Sequence, residues 1–270
     1  MTNLVQQQDS RPYQGTAPYY SRYRPPYPPA LVTVVRDTFG LDGSGRLLDL
    51  GCGPGSVANR LAHLFEVVVA IDPEPDMLVE GKAEANRAGV SNIEWVLGSS
   101  RDLSPALGSF RLVTMGESFH WMDRKQTLET LYELVRDGGG IAIVGRGAGL
   151  SPPPMTPWRA AIDRVVKQYV GERPLPWDGI DPPPEELHEA YLRRSRFKDM
   201  TQYSLTFEVE WTVDSIIGNL YSTSFCSRKL LGDRVEAFER DLRSAVLAAE
   251  PSGVLRGEPP EFWTLMAWKR

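Results

Sequence analysis

A turn that holds three glycines, flanked by one carboxylate before it and another downstream, is the first place in this chain where residue types and spacing can do chemistry. It lies in Leu47-Leu48-Asp49-Leu50-Gly51-Cys52-Gly53-Pro54-Gly55. Glycines in such a turn let a ligand approach the backbone, whose N–H groups point at it, because no side chain stands in the way. A nicotinamide or flavin fingerprint requires Gly-x-Gly-x-x-Gly. Here Ser56 occupies the final position and the third glycine comes one residue early. Asp49 sets a carboxylate inside the preceding strand, where dinucleotide folds keep apolar residues. Asp72 follows the next strand, 17 residues after Gly55. An acid at the tip of strand two accepts hydrogen bonds from both ribose hydroxyls of an adenosine. Together these features point to an adenosine ligand that has no pyrophosphate, and they argue against a nicotinamide-dependent oxidoreductase.

A second group lies downstream. Glu117-Ser118-Phe119-His120-Trp121-Met122-Asp123 follows a predicted strand, at the sheet edge where ligands bind in α/β folds. Phe119 and His120 are the candidates there for contact with a reacting group. Tyr13 and Tyr20, in the Tyr/Arg/Pro-dense stretch 11–29, are two more. Aromatic faces shelter a cation, and His120 or Glu117 can serve as general base. Trp121 reads as core, and His120 has the plainer role of bonding a backbone carbonyl. Cys52 reads as a small loop filler. His63 and His188 have no neighbours at ligand spacing, so no metal site is expected.

The elements that position these residues follow from periodicity. Apolar runs predict strands over 46–50, 67–71, 93–97, 110–115 and 141–144. Helical spacing predicts helices over 30–39, 56–64, 75–88 and 124–136, the last closed by a turn at Asp137-Gly138-Gly139-Gly140. Strands alternating with helices mean βαβ units and a parallel sheet. Two further strands are predicted over 203–211 and 262–268, forming an antiparallel edge, with helices over 158–169, 213–222 and 233–249. The predicted organisation is a single domain: an N-terminal lid and helix (1–40), a ligand-binding core (41–149), a cap or substrate insertion (150–200) and the last strands and helices of the sheet (201–270). Two proline clusters, at 152–154 and 182–184, mark the cap, which is expected to wall the substrate.

Leu48 to Gly55, followed by Val69-Ala70-Ile71-Asp72-Pro73-x-x-x-Met77-Leu78, resembles motifs one and two of class I S-adenosylmethionine-dependent methyltransferases, over roughly residues 45–145. Tyr20-Ser21-Arg22-Tyr23-Arg24-Pro25-Pro26-Tyr27-Pro28 and Ser118 to Asp123 are similar to a branch that modifies small acids and natural products. Lincosamide-type antibiotic N-methyltransferases carry a comparable Ser-Phe-His-Trp-Met-Asp run. The resemblance implies an α/β, Rossmann-like fold with a mostly parallel seven-stranded sheet, an antiparallel edge and helices on both faces. It implies S-adenosylmethionine as cofactor, S-adenosylhomocysteine as product and a small-molecule substrate. The loop Gly51 to Gly55, with Gly51, Cys52 and Gly53, would cradle the methionyl end, Asp72 would hold the ribose, Pro73 and Met77 would line the adenine, and Asp49 counts among the cofactor-binding residues. Ser99 stands where the family often has an acid against the adenine, so Ser100 and backbone groups would make that contact instead, and Ser99 and Glu117 join the cofactor-binding group. Arg111 replaces another frequent acid, a structural one. A nitrogen acceptor on a natural product is favoured, ahead of O-methylation of a hydroxyl or small carboxylic acid. A non-catalytic adenosine-binding protein is the reading from another class.

Composition narrows the field. The 270 residues are 41% hydrophobic and 24% charged, which is ordinary globular usage. A net charge of −5 with no basic block excludes a nucleic-acid partner by ordinary criteria. Two distant cysteines, a polar N-terminus and the lack of an apolar run of about 18 residues predict a cytoplasmic protein with no membrane partner. Oligomeric state is left open by the sequence.

Overall fold

The computed structural model describes residues 11–146, 156–171, 187–206, 208–256 and 261–270. The first ten residues of the expected lid and both proline clusters of the expected cap lie outside them.

Seven strands form the main sheet: β1 (Arg46–Leu50), β2 (Val67–Asp72), β3 (Ile93–Leu97), β4 (Phe110–Gly116), β5 (Val135–Arg146), β6 (Lys198–Thr206) and β7 (Glu261–Trp268). Their order is β3-β2-β1-β4-β5-β7-β6. Neighbours among β1 to β5 run parallel, and β7 pairs antiparallel with both β5 and β6. The helices are α1 (Ala17–Tyr23), α2 (Ala30–Phe39), α3 (Ala58–Leu61), α4 (Pro75–Arg87), α5 (Arg124–Leu134), α6 (Pro157–Val170), α7 (His188–Arg194), α8 (Val213–Tyr221), α9 (Arg228–Leu231) and α10 (Val235–Ala249). No helix among the described residues is long and apolar enough to cross a membrane.

Helices cover both faces of the sheet, which is why its central strands read as unbroken apolar runs. Side chains alternate across β2. Val68 and Ala70 meet Leu31, Val35 and Leu61 on one face, while Val69 and Ile71 join Leu128, Leu131 and Leu192 on the other. A third core lies apart from these two. There Trp158 and Val165 of α6 pack with Ile216 and Leu220 of α8 and with Phe238, Leu242 and Val246 of α10. Residues 213–249 therefore build a helical layer with α6, and do not line the sheet as helices of the 201–270 block. Helix α7, inside the expected cap, belongs to the sheet through Leu192.

Several element boundaries differ from expectation for physical reasons. Helix α5 stops at Leu134 because Val135 already pairs with Phe110, and the glycine turn is drawn into β5 by bonds between Gly138, Gly139 and the Lys269 backbone. The strand expected at 203–211 starts at Lys198 and ends at Thr206, since pairing with β7 extends through its polar N-terminal half. Trp211 and Thr212 instead pair with Val254 and Leu255 in a short ribbon. The helix expected over 56–64 is a single turn, α3, continued by a 3₁₀ turn at Ala62–Leu64. Helix α1 was not foreseen; Pro18 sits in its first turn and Arg24-Pro25 stops it.

Candidate active site

Strands β1 and β4 are neighbours whose connections depart to opposite sides, and a crevice at the carboxyl ends of the strands forms at such a reversal. A cavity of about 600 Å³ opens there, within the size range of small-molecule sites. Its floor comes from the turn after β1, the tip of β2 and the end of β4. Its roof comes from the segment 11–27 and from residues 219–225 at and after the end of α8.

The glycines after β1 are needed where the fold closes tightly. Gly51 has φ +69°, and a Cβ there would stand 2.5 Å from Ser118 Cβ. Gly55 has φ +76°, and its Cβ would meet the Trp95 ring at 2.5 Å. Gly53 differs: φ is +54°, but beyond its chain neighbours no atom of the described residues lies within 4 Å of where its Cβ would be, and the residue lines the cavity. The sequence reading had the N–H groups of this turn pointing at a ligand. Those of Gly51 and Cys52 instead donate to the Ile71 carbonyl, at 2.8 and 3.0 Å, and that of Gly53 donates to Asp72. What the turn offers at Gly53 is room.

Asp49, Gly51, Cys52, Gly53, Asp72, Pro73, Met77, Ser99, Ser100 and Glu117 all line the one cavity. Asp49 is buried and already engaged: one oxygen accepts from Thr114 Oγ1 at 2.7 Å and the other from the Ala58 amide at 3.0 Å. Burial pushes its pKa up to about 7. Asp72 accepts the amides of Gly53 (2.7 Å) and Glu74 (2.9 Å), and burial raises its pKa to about 6. Burial also drives the Cys52 thiol up, so it is no nucleophile at neutral pH. Ser99 spends its hydroxyl in a capping box with Asp102, which removes it as a free donor to a cofactor.

Tyr13, Tyr20, Arg24, Glu117, His120 and Trp121 line the same cavity. Glu117 holds a left-handed backbone, φ +53°, the kind of strain found at functional sites. Its carboxylate accepts the Arg146 amide at 2.6 Å. Tyr13 meets Trp121 edge-on with ring centroids 5.6 Å apart, and burial pushes its hydroxyl up to about 12. Two expectations are reversed here. Phe119, a candidate for substrate contact, is 1% exposed and packs in the core beneath the site. Trp121, read as core, is 38% exposed and lines the cavity. The 3₁₀ turn Phe119–Trp121 rotates successive side chains by roughly a third of a turn, so only one of the two can face inward. Asp123 caps α5 by accepting from the Gln126 amide and does not line the cavity. Arg111 bonds Ser44 and the Gly40 carbonyl, a structural latch.

Other cavity residues escaped the sequence reading. Glu74 is buried and ion-paired with Arg11 at 2.6 Å, which ties the N-terminal segment to the start of α4. Its place two residues after Asp72 was the signal. Asn219, Thr223, Ser224 and Phe225 supply a wall of the cavity, and nothing local marks them. His188 stacks on His120 at 6.3 Å and is held neutral, its pKa lowered to about 3 by burial and then by Arg124 and His120.

Comparison with known proteins speaks to the same core. Residues 47–139 match the family described as a methyltransferase domain. An uncharacterized methyltransferase-like protein of Schizosaccharomyces pombe is 23% identical over 173 residues, covering 63% of this chain and 64% of that protein. An uncharacterized methyltransferase of Mycobacterium tuberculosis is 30% identical over 125 residues, covering 46% of this chain and 48% of that protein. The chain thus spans between about half and two thirds of the length of these relatives. The solved structure of a putative type II methyltransferase from Anaeromyxobacter dehalogenans shares the fold, with TM-score 0.55 and 21% identity over 92% of this chain and 98% of that one.

Proposed function

We propose, from the premise that this chain belongs to the class I S-adenosylmethionine-dependent methyltransferase family, that it methylates a nitrogen of a small natural product. The observation that carries this reading is a single cavity lined by two chemically distinct groups. One is Asp72, with the open side of Gly53 and the walls of Pro73 and Met77. The other is a carboxylate, Glu117, with Tyr13, Trp121 and His120. The residues present fit the cofactor: Asp72 has used two of about four lone-pair sites and keeps the rest for a ribose, and the side of Gly53 that a Cβ would fill is empty of protein.

When bound, S-adenosylmethionine supplies a methyl group made electrophilic by the attached sulfonium. The chain's part is to position the acceptor and exclude water. The segment 11–27 and residues 219–225 close over the cavity, which suits a small acceptor. Glu117 and the aromatic faces favour an amine that binds as a cation. Such an amine need only lose one proton, to bulk water or a weak base, whereas a hydroxyl acceptor would need a firmer base, for which His120 and Glu117 on the cavity wall are the candidates. The run Ser118 to Asp123, similar to antibiotic N-methyltransferases, supports nitrogen over oxygen.

The test is S-adenosylhomocysteine formation across panels of amines, alcohols and carboxylic acids, with a pH–rate profile on the best substrate. An amine acceptor gains rate toward its own pKa and keeps a substantial part of it in His120→Ala. Turnover confined to alcohols, with His120→Ala erasing a limb near about pH 6.5, overturns nitrogen in favour of a hydroxyl activated by His120. Binding of S-adenosylhomocysteine with no turnover on any panel leaves the non-catalytic adenosine-binding reading.

A further inference from the structure

Arg24 is a cation in this cavity that the roles above leave unused. It lies just beyond α1 and lines the cavity. Among the described residues its one side-chain hydrogen bond is from Nη2 to the Ser222 carbonyl, at 3.3 Å, and its Nε is buried without an acceptor. The guanidinium stands 5.0 Å from the centre of the Tyr20 ring. Among the described residues no carboxylate forms an ion pair with it; Arg11, the other cavity arginine, is engaged with Glu74. A planar fork of five donors that makes one bond in a half-buried site is incomplete, and its natural complement is a carboxylate bound through two oxygens.

We propose that Arg24 is a carboxylate-binding residue of the cavity. This rests on the adenosine-cofactor reading above. Two molecules in the proposed reaction can bring a carboxylate: the amino-acid end of S-adenosylmethionine, and an acceptor that is itself an acid. The surroundings favour the first. Tyr20, on which Arg24 stacks, shares Arg146 with Tyr27, over whose ring that guanidinium stands at 4.6 Å, and the Tyr27 hydroxyl would lie 2.9 Å from a Cβ on Gly116, where Val57 also presses at 2.8 Å. Arg24 therefore stands near the helix entry that follows the glycine turn, at the methionyl end. A second polar atom, Asn219 Oδ1, is buried in the same wall without a partner and suits an ammonium group. Arg24 thus links ligand charge to the roof, because the same side chain holds the N-terminal segment to Ser222.

The experiment is calorimetric titration of wild-type protein, Arg24→Gln and Arg24→Lys with three probes: S-adenosylhomocysteine, its carboxamide, and methylthioadenosine, which lacks the amino-acid end. Wild-type binding of methylthioadenosine tests the cofactor reading by itself; no binding of either nucleoside to wild type sinks that reading and the proposal with it. With the cofactor as source, Arg24→Gln weakens S-adenosylhomocysteine at least tenfold and methylthioadenosine less than twofold, and the carboxamide binds wild type and variant alike. Arg24→Lys recovers part of the loss, since it keeps the charge without the fork. Equal loss for all three probes marks a structural role and overturns the proposal. If the variant binds S-adenosylhomocysteine as wild type does, protein saturated with it is titrated with glycine, succinate and benzoate. Binding that depends on Arg24 then assigns the carboxylate to the acceptor, and none overturns the proposal.

Discussion

The two oxygens of Asp72 each accept one backbone amide, from Gly53 and from Glu74, and each keeps a second lone pair. Burial sets its pKa at about 6, above the value of about 3.9 for an unfolded chain. The native state therefore holds this proton more tightly than the unfolded state. That favours the fold in acid, and the contribution is lost as pH rises through about 6. Binding runs the other way, because the ionised carboxylate is the better acceptor for ribose hydroxyls. S-adenosylhomocysteine affinity, measured by calorimetry, is expected to tighten between pH 5 and 7. Asp72→Asn should flatten that dependence, and Asp72→Ala should cost at least tenfold at pH 7.5 through the loss of charge-assisted bonds. Unchanged affinity in a folded Asp72→Ala protein would remove this residue from the site.

At the scale of elements, the turn between β1 and α3 carries two kinds of glycine. Ala at position 51 meets both a left-handed backbone and Ser118 at 2.5 Å. Gly51→Ala is expected to destabilise by about 2–4 kcal/mol, from left-handed strain and overpacking together. Gly53→Ala carries only the strain, about 1–2 kcal/mol, yet its methyl group enters the cavity. Thermal melts and calorimetry should therefore separate them: the first loses mainly stability, the second mainly cofactor affinity. A Gly53→Ala protein that binds as wild type does would show that nothing approaches this turn closely. The contact between α1 and α8 is similarly exacting, since a Cβ at Gly218 would lie 2.3 Å from the Tyr23 ring. Gly218→Leu should push α1 from its seat, weakening cofactor binding and turnover. Hydrogen exchange in β1 and β4 should stay protected, as those strands lie in other cores. Full activity in that variant would mean that α1 is no part of the roof.

The molecule divides the walls of its cavity between a sheet, which carries the proposed cofactor residues, and a helical layer that roofs it. Residues 219–225 belong to the layer built from α6, α8, α9 and α10. Changes at the far part of this stretch, Thr223 to Phe225, should alter which acceptors are used while leaving the nucleoside site intact. Phe225→Ala is expected to shift the ranking of amine substrates severalfold, with S-adenosylhomocysteine affinity changed by less than twofold. A variant with the wild-type ranking would return the choice of acceptor to the segments at 150–200.

The sequence by itself determined the order of the seven strands of the main sheet and of most helices, the glycine turn with Asp49 and Asp72, and the ends of helices such as α2, which stops at left-handed Gly40. Those features are local: side-chain period, turn chemistry and capping act within a few residues. The tertiary structure alone decided which residues share the cavity. Arg11 reaches Glu74 across 63 positions and Arg24 reaches Ser222 across 198. No local pattern encodes such pairs, because they exist only once separate elements have packed. The same holds for Phe119 and Trp121, adjacent enough to look alike in sequence. A turn between β4 and α5 sends one ring into the core beneath His188 and leaves the other against Tyr13. That choice depends on the volume already filled on each side of the sheet, which packing across distant segments sets.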